Sequence, residues 1–240
     1  MNFKSLLKSL LGEESESVVG SIAITDQSTI ENYISDAENT FLVSFPRTGS
    51  HWLRMIMELY FKRPSLVRVF YYPECTDYLT LHTHDMDLDV TRSHVIYLYR
   101  DTIDTIYSQL RYYGEDINDT GRVKYWSDIY GHHLTKWLLD EDFTVKKTIV
   151  KYERMLSNIQ EEFKKVCDHF SIAYDSINLE EVVNKVSKKE LKKKTLHDLQ
   201  VVNLTSDYQI AKDIFRDNNS DLVLDCIFSK NVLLKPYFDV

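Results

Sequence analysis

The stretch Phe41-Leu-Val-Ser-Phe-Pro-Arg-Thr-Gly-Ser-His-Trp-Leu-Arg54 decides the fold of this chain. The apolar run at 41–45 predicts a buried strand, and helical spacing of apolar residues follows over 52–61. A tight loop with one glycine, Gly49, joins the two segments, and the helix is expected to begin near Ser50. A strand, a tight loop and a helix in this order are typical of a parallel sheet, in which the carboxyl end of each strand opens onto a ligand crevice.

The rest of the chain repeats this alternation of strands and helices. Apolar runs at 94–99 and 148–151 predict two further buried strands. Helical spacing predicts three further helices, at 102–113, 123–139 and 154–170. We therefore expect a single α/β domain over 1–240, with a central, mostly parallel sheet flanked by helices. Its N-terminal extension, 1–38, and its C-terminal part, 175–240, are expected to be helical.

Composition and charge exclude several classes of protein. The chain has 29 Lys and Arg against 37 Asp and Glu, and its formal net charge of −8 argues against a nucleic-acid partner. No apolar run reaches the roughly 18 residues of a transmembrane helix, although residues 1–11 have one apolar face that packs on the domain or touches a membrane surface. The spacing of cysteines, histidines and acids predicts no metal site. Three cysteines without CxxC spacing and the lack of a secretory signal favour a cytoplasmic protein.

The loop at 46–50 has the features of an anion-binding site. Its backbone N–H groups and the positive end of the helix dipole face the crevice at the end of the strand. Thr48 and Ser50 add hydroxyl donors, and Arg47 adds a guanidinium. The GxxxxGK[ST] spacing of nucleoside triphosphatases is absent. The alternative is an ordinary strand–helix turn in which Ser50 is the N-cap of the helix.

The end of the second predicted strand repeats this pattern. Arg100 follows the strand, and Arg100, Asp104 and Ser108 lie four residues apart along one helix face. Arg100 and Ser108 together are suited to a second phosphate, while Asp104 orients the arginine or caps the helix. The alternative is a surface ion pair between Arg100 and Asp104. Two such corners at two strand ends predict a ligand with more than one phosphate or sulfate group.

The residues of the two corners resemble motifs of the sulfotransferases that use 3′-phosphoadenosine 5′-phosphosulfate (PAPS). The family's P-loop-like phosphosulfate loop, (S/T)-(Y/F)-P-(K/R)-(S/T)-G-(T/S)-x-W, is matched by Ser44-Phe-Pro-Arg-Thr-Gly-Ser-His-Trp52. Its 3′-phosphate motif, R-x-P-x-D-x-x-x-S, is matched by Arg100, Asp104 and Ser108, with Thr102 in the place of proline. The two motifs together are fairly specific for the family.

Two shorter matches lie outside these motifs. Thr83-His84 corresponds to a T-H pair of the family, and Tyr152-Glu153 corresponds to its Y-E pair. The resemblance thus covers about residues 40–170. The family's C-terminal R-K-G segment, which also holds the 3′-phosphate, has no clear match, and the lysine-rich run at 188–194 is a candidate substitute.

The resemblance implies a role for each matched residue on the nucleotide. Arg47, which stands where the family commonly has lysine, neutralises charge on the transferring group. Arg100 and Ser108 bind the 3′-phosphate. The remaining nucleotide contacts are assigned to Thr48, Gly49, Ser50 and His51 for the 5′-phosphosulfate, and to Trp52 and Tyr152 for the base.

The resemblance also assigns an acceptor side. His84 is the expected general base, because the ordinary pKa of histidine, near 6.5, suits proton removal at neutral pH. His82, two residues earlier, faces the same side if the segment is extended, and is expected to hold the acceptor or the sulfonate. Asp85 and its acidic neighbours Asp87 and Asp89 favour a cationic or neutral acceptor if they line its entrance. The alternative is that these acids only keep the surface soluble.

The function expected from the resemblance is transfer of a sulfonate group from PAPS to a hydroxyl or an amine of a small molecule. Arg47 and the missing C-terminal segment leave a non-catalytic nucleotide-binding protein on the same fold as an alternative. A nucleotide-kinase-like phosphotransferase is a further alternative, which the lack of a lysine directly after Gly49 disfavours. A homo-oligomer is compatible with each of these functions.

Overall fold

In this computed structural model, the described part of the chain comprises residues 22–23, 26–142, 144–186 and 207–238. The predicted helix at 1–11 and the lysine-rich run at 188–194 lie outside the described residues. The described helices are α1 (Gln27–Ser35), α2 (Ser50–Phe61), α3 (Thr102–Tyr113), α4 (Thr120–Leu134), α5 (Tyr152–Ser157), α6 (Ile159–His169), α7 (Ser176–Lys185) and α8 (Tyr208–Phe228). A π-helical turn (Thr135–Leu139) extends α4, and a 3₁₀ turn (Val232–Tyr237) follows α8.

A parallel sheet of five strands forms the centre of the molecule. The described strands are β1 (Ile22–Ala23), β2 (Thr40–Ser44), β3 (Ser65–Leu66), β4 (Arg68–Val69), β5 (Thr80–Thr83), β6 (His94–Tyr99) and β7 (Lys146–Lys151). Their order in the main sheet is β3-β5-β2-β6-β7, and all its neighbours are parallel. The chain leaves β2 first towards β5 and later returns to pair β6 on the other side. The loop after β2 therefore lies at the switch point of the sheet, where α/β proteins bind ligands.

Both faces of the sheet are covered, as a run of consecutive apolar residues in a strand predicts. In and just after β2, Phe41, Val43 and Phe45 pack into one core, while Leu42 packs into the other. Helices α3, α4 and α8 cover the first face, and α2, α6 and α7 cover the second. The predicted α/β fold with a parallel sheet is confirmed, and β2, β6 and β7 correspond to the three predicted strands.

Three local expectations were wrong. The predicted helix at 154–170 is two helices, because Asn158 leaves helical geometry and caps α6 by accepting a hydrogen bond from the Glu161 N–H. The extension over 1–38 is not helical throughout, because Ile22–Ala23 pairs antiparallel with β4. The helix predicted from residue 123 begins earlier, at Thr120, where Asp119 caps it. None of the described helices is long and apolar enough to cross a membrane.

Candidate active site

The loop between β2 and α2 leaves the first turn of α2 open at the switch point. Gly49 is the N-cap of α2, so the N-cap residue has no side chain that could accept a hydrogen bond from that turn. Gly49 has a φ of 94°, and a Cβ at this position would lie 2.5 Å from Cε2 of Tyr152. Glycine is therefore required here both by the left-handed backbone and by the tyrosine ring on the loop. Tyr152, predicted to contact the base, thus lies directly against the predicted phosphosulfate loop.

The two hydroxyl groups of the loop have different surroundings. Thr48 is fully buried, and its Oγ1 donates a hydrogen bond to the Phe45 carbonyl at 2.8 Å. The Thr48 side chain therefore closes the loop, and the expected hydroxyl contact to a ligand does not match this orientation. Ser50, the first residue of α2, is 7 % exposed.

The two predicted anion corners form one continuous site. Arg47 Nε donates to Ser108 Oγ at 3.2 Å, and Arg100 Nη1 donates to the Arg47 carbonyl at 3.2 Å. The Arg47 guanidinium also lies 5.0 Å from the centre of the Tyr112 ring. Arg47 thus reaches across to the helix that carries Ser108. The arginine of the loop after β2 therefore contacts the helix after β6, and the arginine after β6 contacts that loop.

Arg100 is fixed by the residues around it. The Tyr130 hydroxyl donates to the Arg100 carbonyl at 2.8 Å, and the Arg100 guanidinium lies 4.8 Å from the Tyr152 ring centre. Arg100 Nη2 donates to Asp104 Oδ2 at 3.2 Å, so the ion pair considered as an alternative is also present. Arg100 Nε and Glu153 Oε2 are buried, and neither has a hydrogen-bond partner among the described residues. Such unsatisfied groups are rare in folded proteins, and each calls for a partner such as water or a bound polar group.

Two cations that sequence reasoning missed lie at the same place. Lys212 Nζ is 3.1 Å from Asp104 Oδ2, and Arg216 Nη2 is 2.7 Å from Asp104 Oδ1. Burial acts to raise the pKa of the Asp104 carboxyl, but Arg100, Arg216 and Lys212 outweigh it and hold that pKa below its ordinary value. The only sequence signal was the four-residue spacing of Lys212 and Arg216, which places them on one face of α8.

The two predicted acceptor-side histidines lie on the other side of β2. The rings of His82 and His84 are 4.8 Å apart, which confirms that they share one side. His84 Nδ1 is 2.7 Å from the Ser44 carbonyl oxygen, so Nδ1 carries the proton and Nε2 keeps a lone pair. His82 Nε2 is 3.0 Å from Ser44 Oγ. Burial lowers the pKa of His84, which keeps its imidazole neutral and able to accept a proton at pH 7.

A third histidine supports this segment from α4. His133 Nε2 donates to the His84 carbonyl at 2.8 Å, and its Nδ1 accepts from the Tyr97 hydroxyl at 2.9 Å. Both nitrogens are used and burial lowers the pKa of His133 to about 3, so this residue is neutral and structural. It holds the backbone of His84 in place.

The side chains of His51 and Trp52, in the first turn of α2, both contact other side chains of the protein. His51 Nε2 accepts from Arg68 Nη1 at 2.6 Å, and its ring packs edge-on against Phe70. Burial, followed by the charge of Arg68, lowers the pKa of His51 well below its ordinary value. The Trp52 ring packs edge-to-face on Tyr152 at 6.0 Å between centres. Trp52 and Tyr152 together therefore form an aromatic surface beside the loop.

Asp85 does not have the place expected for an acceptor-binding residue. Both of its oxygens accept hydrogen bonds from Arg92, at 2.9 and 3.1 Å, and its side chain is 1 % exposed. A carboxylate that is buried and paired in this way presents no free oxygen to an acceptor. The expectation that Asp85 lines the acceptor entrance is therefore wrong.

A mostly apolar cavity lies against the segment that follows His84 in the chain. Its volume is about 370 Å³, and its lining is formed by Met86, Leu88, Ile129, His132 and His133. Lys136 holds one wall in place, because its ammonium group donates hydrogen bonds to the carbonyl oxygens of Leu88 and Val90. Among the described residues, no group of three His, Cys, Asp or Glu side chains is arranged to hold a metal ion.

Comparison with known proteins supports the fold at low sequence identity. No protein-family model matches the sequence, and no curated protein matches it. The structure is similar to mouse sulfotransferase SULT7A1 in complex with PAP, with a TM-score of 0.54, 15 % identity, and coverage of 83 % of this chain and 90 % of that one. It is also similar to retinol dehydratase in complex with androsterone and the inactive cofactor PAP, with a TM-score of 0.54, 12 % identity, and coverage of 99 % and 94 %. The chain has the sulfotransferase fold. At 15 % and 12 % identity, this similarity shows the fold alone. The PAP molecules were bound to those two proteins.

Proposed function

We propose that this protein transfers a sulfonate group from PAPS to a hydroxyl or amine of a small, neutral acceptor. One arrangement carries the proposal. The linked cations Arg47 and Arg100 lie on the β6 side of β2, the neutral base His84 lies on the β5 side, and the first turn of α2 follows the loop between them. Sulfonate transfer needs these two elements next to each other, an anion grip for the leaving nucleotide and a base for the acceptor proton.

The residues at the switch point suit a nucleotide with phosphate groups at both its 5′ and 3′ positions. The first turn of α2 offers uncapped N–H groups for the 5′-phosphosulfate. Arg100 Nε, buried and without an acceptor among the described residues, and Ser108 suit the 3′-phosphate. The aromatic surface formed by Trp52 and Tyr152 suits the adenine base. PAPS supplies the activated sulfonate, and the residues named above bind and orient the nucleotide.

The chemistry follows from the two sides. His84 Nε2 takes the proton of the acceptor hydroxyl, the acceptor oxygen forms a bond to sulfur, and the bond from sulfur to the phosphate oxygen breaks. The electron pair of the broken bond stays on the nucleotide, whose added charge Arg47 compensates. His82, whose ring is 4.8 Å from that of His84, lies where it can orient the acceptor. A positioned general base contributes roughly 10²–10⁴ to the rate.

The acceptor side favours a neutral molecule. The pairing of Asp85 with Arg92 removes the nearest acid from the entrance and weakens the argument for a cationic acceptor. The cavity lined mainly by apolar groups of Met86, Leu88 and Ile129 also borders His133, which holds the His84 backbone. Such a lining suits the hydrocarbon part of a neutral alcohol, phenol or amine.

The test combines binding with turnover. Calorimetry with adenosine 3′,5′-bisphosphate and adenosine 5′-phosphate should show tighter binding of the bisphosphate. Incubation with PAPS and a panel of neutral alcohols, phenols and amines should yield products heavier by one sulfonate group in mass spectrometry. Selective binding without turnover across the panel would favour the non-catalytic nucleotide-binding protein. Phosphate transfer from ATP in place of sulfonate transfer would favour the kinase-like alternative.

A further inference from the structure

One helix contacts the chain at the ends of both strands that flank β2. On α4, the Tyr130 hydroxyl donates a hydrogen bond to the Arg100 carbonyl at 2.8 Å and accepts one from the Arg100 N–H at 3.2 Å. One turn later, His133 Nε2 donates to the His84 carbonyl at 2.8 Å. Tyr130 and His133 are three residues apart, so they lie on one face of the helix. This face holds the backbone of a proposed phosphate-binding residue and also that of the proposed base.

The side chain between these two contacts belongs to the loop after β2. The centre of the Phe45 ring lies 4.5 Å from that of Tyr130 and 5.6 Å from that of His133. Phe45 and Tyr130 are fully buried, and His133 is 1 % exposed. Because a protein core is close-packed, the two hydrogen-bonding side chains cannot move apart without displacing Phe45. The backbone at His84, the loop after β2 and the backbone at Arg100 thus all contact one face of α4.

The hydrogen bond from His133 to His84 depends on the tautomer of His133, and Tyr97 sets that tautomer. A carbonyl oxygen can only accept, so Nε2 of His133 carries the proton and Nδ1 has the lone pair. The Tyr97 hydroxyl, 2.9 Å away, donates to Nδ1 and stabilises this tautomer. Tyr97 lies in β6 and is fully buried. The position of the His84 backbone therefore depends on a chain of two hydrogen bonds that begins in the sheet.

We infer that Tyr130 and His133 are positioning residues, which fix the distance between the proton acceptor on His84 and the phosphate-binding group of Arg100. The inference rests on the proposed function, because it concerns the same two sides of the site. Neither residue touches the reacting atoms in the proposed chemistry, and each acts through the backbone of another residue. Sulfonate transfer needs a base and a nucleotide at a fixed separation, and a misplacement of about 1 Å costs roughly 100-fold in rate.

The competing role is packing alone, in which His133 only fills the core. His169 is a matched control, because it is also buried and both of its ring nitrogens also have partners. These partners are Thr40 Oγ1 at 3.3 Å and Thr148 Oγ1 at 2.9 Å. Thr40 is the first residue of β2, so His169 lies at the end of the sheet opposite the site. A variant of His169 loses packing and hydrogen bonds without touching the segment of His84.

The experiment on the base side measures kcat, the KM for PAPS and the affinity for adenosine 3′,5′-bisphosphate. His133→Phe fills the core without the N–H donor, so kcat should fall by about tenfold or more while KM and bisphosphate affinity stay unchanged. His133→Gln places an amide N–H where Nε2 lies and should restore most of the lost kcat. His169→Phe should leave all three quantities unchanged.

The experiment on the anion side uses Tyr130→Phe, which removes one hydroxyl and keeps the ring against Phe45. Arg100 then loses its backbone support, and calorimetry should show that adenosine 3′,5′-bisphosphate binds about fivefold more weakly, the effect of one ordinary hydrogen bond. Adenosine 5′-phosphate should bind as it does to the wild type. The two variants on α4 thus give different patterns, a loss of kcat for His133→Phe and a loss of bisphosphate affinity for Tyr130→Phe.

Several results would overturn the inference. Equal losses of kcat in His133→Phe and His133→Gln, or in His133→Phe and His169→Phe, would show that His133 only packs. Unchanged bisphosphate affinity in Tyr130→Phe would remove the anion side of the inference. If His133→Phe does not fold, Tyr97→Phe takes its place, and kcat should fall by about threefold, because the tautomer of His133 is no longer fixed. An unchanged kcat in that variant would equally contradict the positioning role.

A failure of the proposed function is visible separately, because the wild type would then transfer no sulfonate to any acceptor of the panel. Nitrogen NMR of the histidine rings tests the positioning role in that case as well. The ring-nitrogen signals of His84 should shift in His133→Phe, stay in place in His169→Phe, and return towards their wild-type positions in His133→Gln. Signals of His84 that do not change in His133→Phe would show that His133 does not position it.

Discussion

The two strands that flank β2 end in chemically opposite surroundings. At the end of β5, His82 and His84 are half-buried, and their burial lowers the pKa of each. At the end of β6, Arg100 stands among carboxylates and further cations, and every charge there has an opposite partner. Ser44, the last residue of β2, contacts both histidines, and Arg47, three residues later, contacts the cation side. One short loop thus separates the neutral histidine side, where we propose proton transfer, from the charged side, where we propose anion binding.

The comparison teaches why the two tasks need different surroundings. A base must be neutral to accept a proton, and burial without a counter-ion keeps a histidine neutral. A phosphate must meet cations that are already held in place; arginine is charged at any working pH, and ion pairs fix its orientation before the ligand arrives. The four predictions below compare the histidine side, at the end of β5, with the cation side, at the end of β6.

The largest expected effect is on stability, at the buried ion pair behind His84. Asp85→Ala leaves Arg92 buried without its partner, which typically costs 3–5 kcal/mol, so we expect a loss of about 4 kcal/mol in the free energy of unfolding. The exposed pair Arg63–Asp77 is the control, because Asp77→Ala should cost about 1 kcal/mol or less. Urea unfolding of both variants measures the difference. Similar small losses in both would contradict a structural role for Asp85.

The next effect is on turnover. His84→Ala removes the proposed base, and sulfonate transfer should fall by about 100-fold or more, while the affinity for adenosine 3′,5′-bisphosphate stays unchanged. His94, at the amino end of β6, is the matched control, because it lies at the opposite end of the sheet. Steady-state rates and calorimetry on both variants give the two readouts. If His84→Ala keeps more than about a tenth of the wild-type rate, His84 is not the general base.

Sequence alone predicted β2, β6 and β7, and it located the loop that we propose to bind an anion, because these signals are local. β2 and β6 are continuous apolar runs, and the loop residues that face the switch point follow β2 directly. β5 escaped prediction because Thr-Leu-His-Thr is short and half polar, and only its place between β3 and β2 buries it. A strand of this kind is fixed by its neighbours rather than by its own pattern.

Two ion-pair arrangements could not be predicted either, because they also depend on distant parts of the chain. Asp85 is one of several acids in a row, and nothing local shows that Arg92 folds back onto it. Lys212 and Arg216 approach Asp104 only through the packing of α8 on α3. Long-range ion pairs carry no periodic signal, so sequence patterns predict the element that bears a charge and not its partner.

The cation side is tested by Arg100→Ala. Removing this guanidinium should weaken adenosine 3′,5′-bisphosphate by about tenfold or more and adenosine 5′-phosphate much less, because charged hydrogen bonds to the second phosphate are lost. Turnover at saturating PAPS should fall less than in His84→Ala, since proton transfer lies on the other side of β2. Calorimetry with both nucleotides is the measurement. Equal losses for the two would assign Arg100 a structural role instead.

The smallest effect per residue is on stability against pH, and it comes mainly from the histidine side. Among the described residues, five histidines have a pKa lowered mainly by burial: His51, His82, His84, His133 and His169. For His133 and His169 the pKa falls to about 3 and about 4. In the unfolded chain each histidine takes up a proton near pH 6.5, whereas the native protein does so only at lower pH. The unfolded state then binds more protons below pH 6.5, so the free energy of unfolding falls as the pH falls.

The expected slope is roughly 1 kcal/mol per pH unit for each such histidine, over the range from about pH 6.5 down to its native pKa. Glu58 and Glu153 act in the opposite direction, because burial raises the pKa of each carboxyl and the native state takes up their protons first. Two carboxyls against five histidines leave the sign unchanged. Urea unfolding at pH 7, 6 and 5 gives the slope, and His169→Gln should reduce it by the share of one histidine. Stability that is flat or rises as the pH falls from 6.5 would contradict the neutral, buried state of the histidines on which proton transfer by His84 depends.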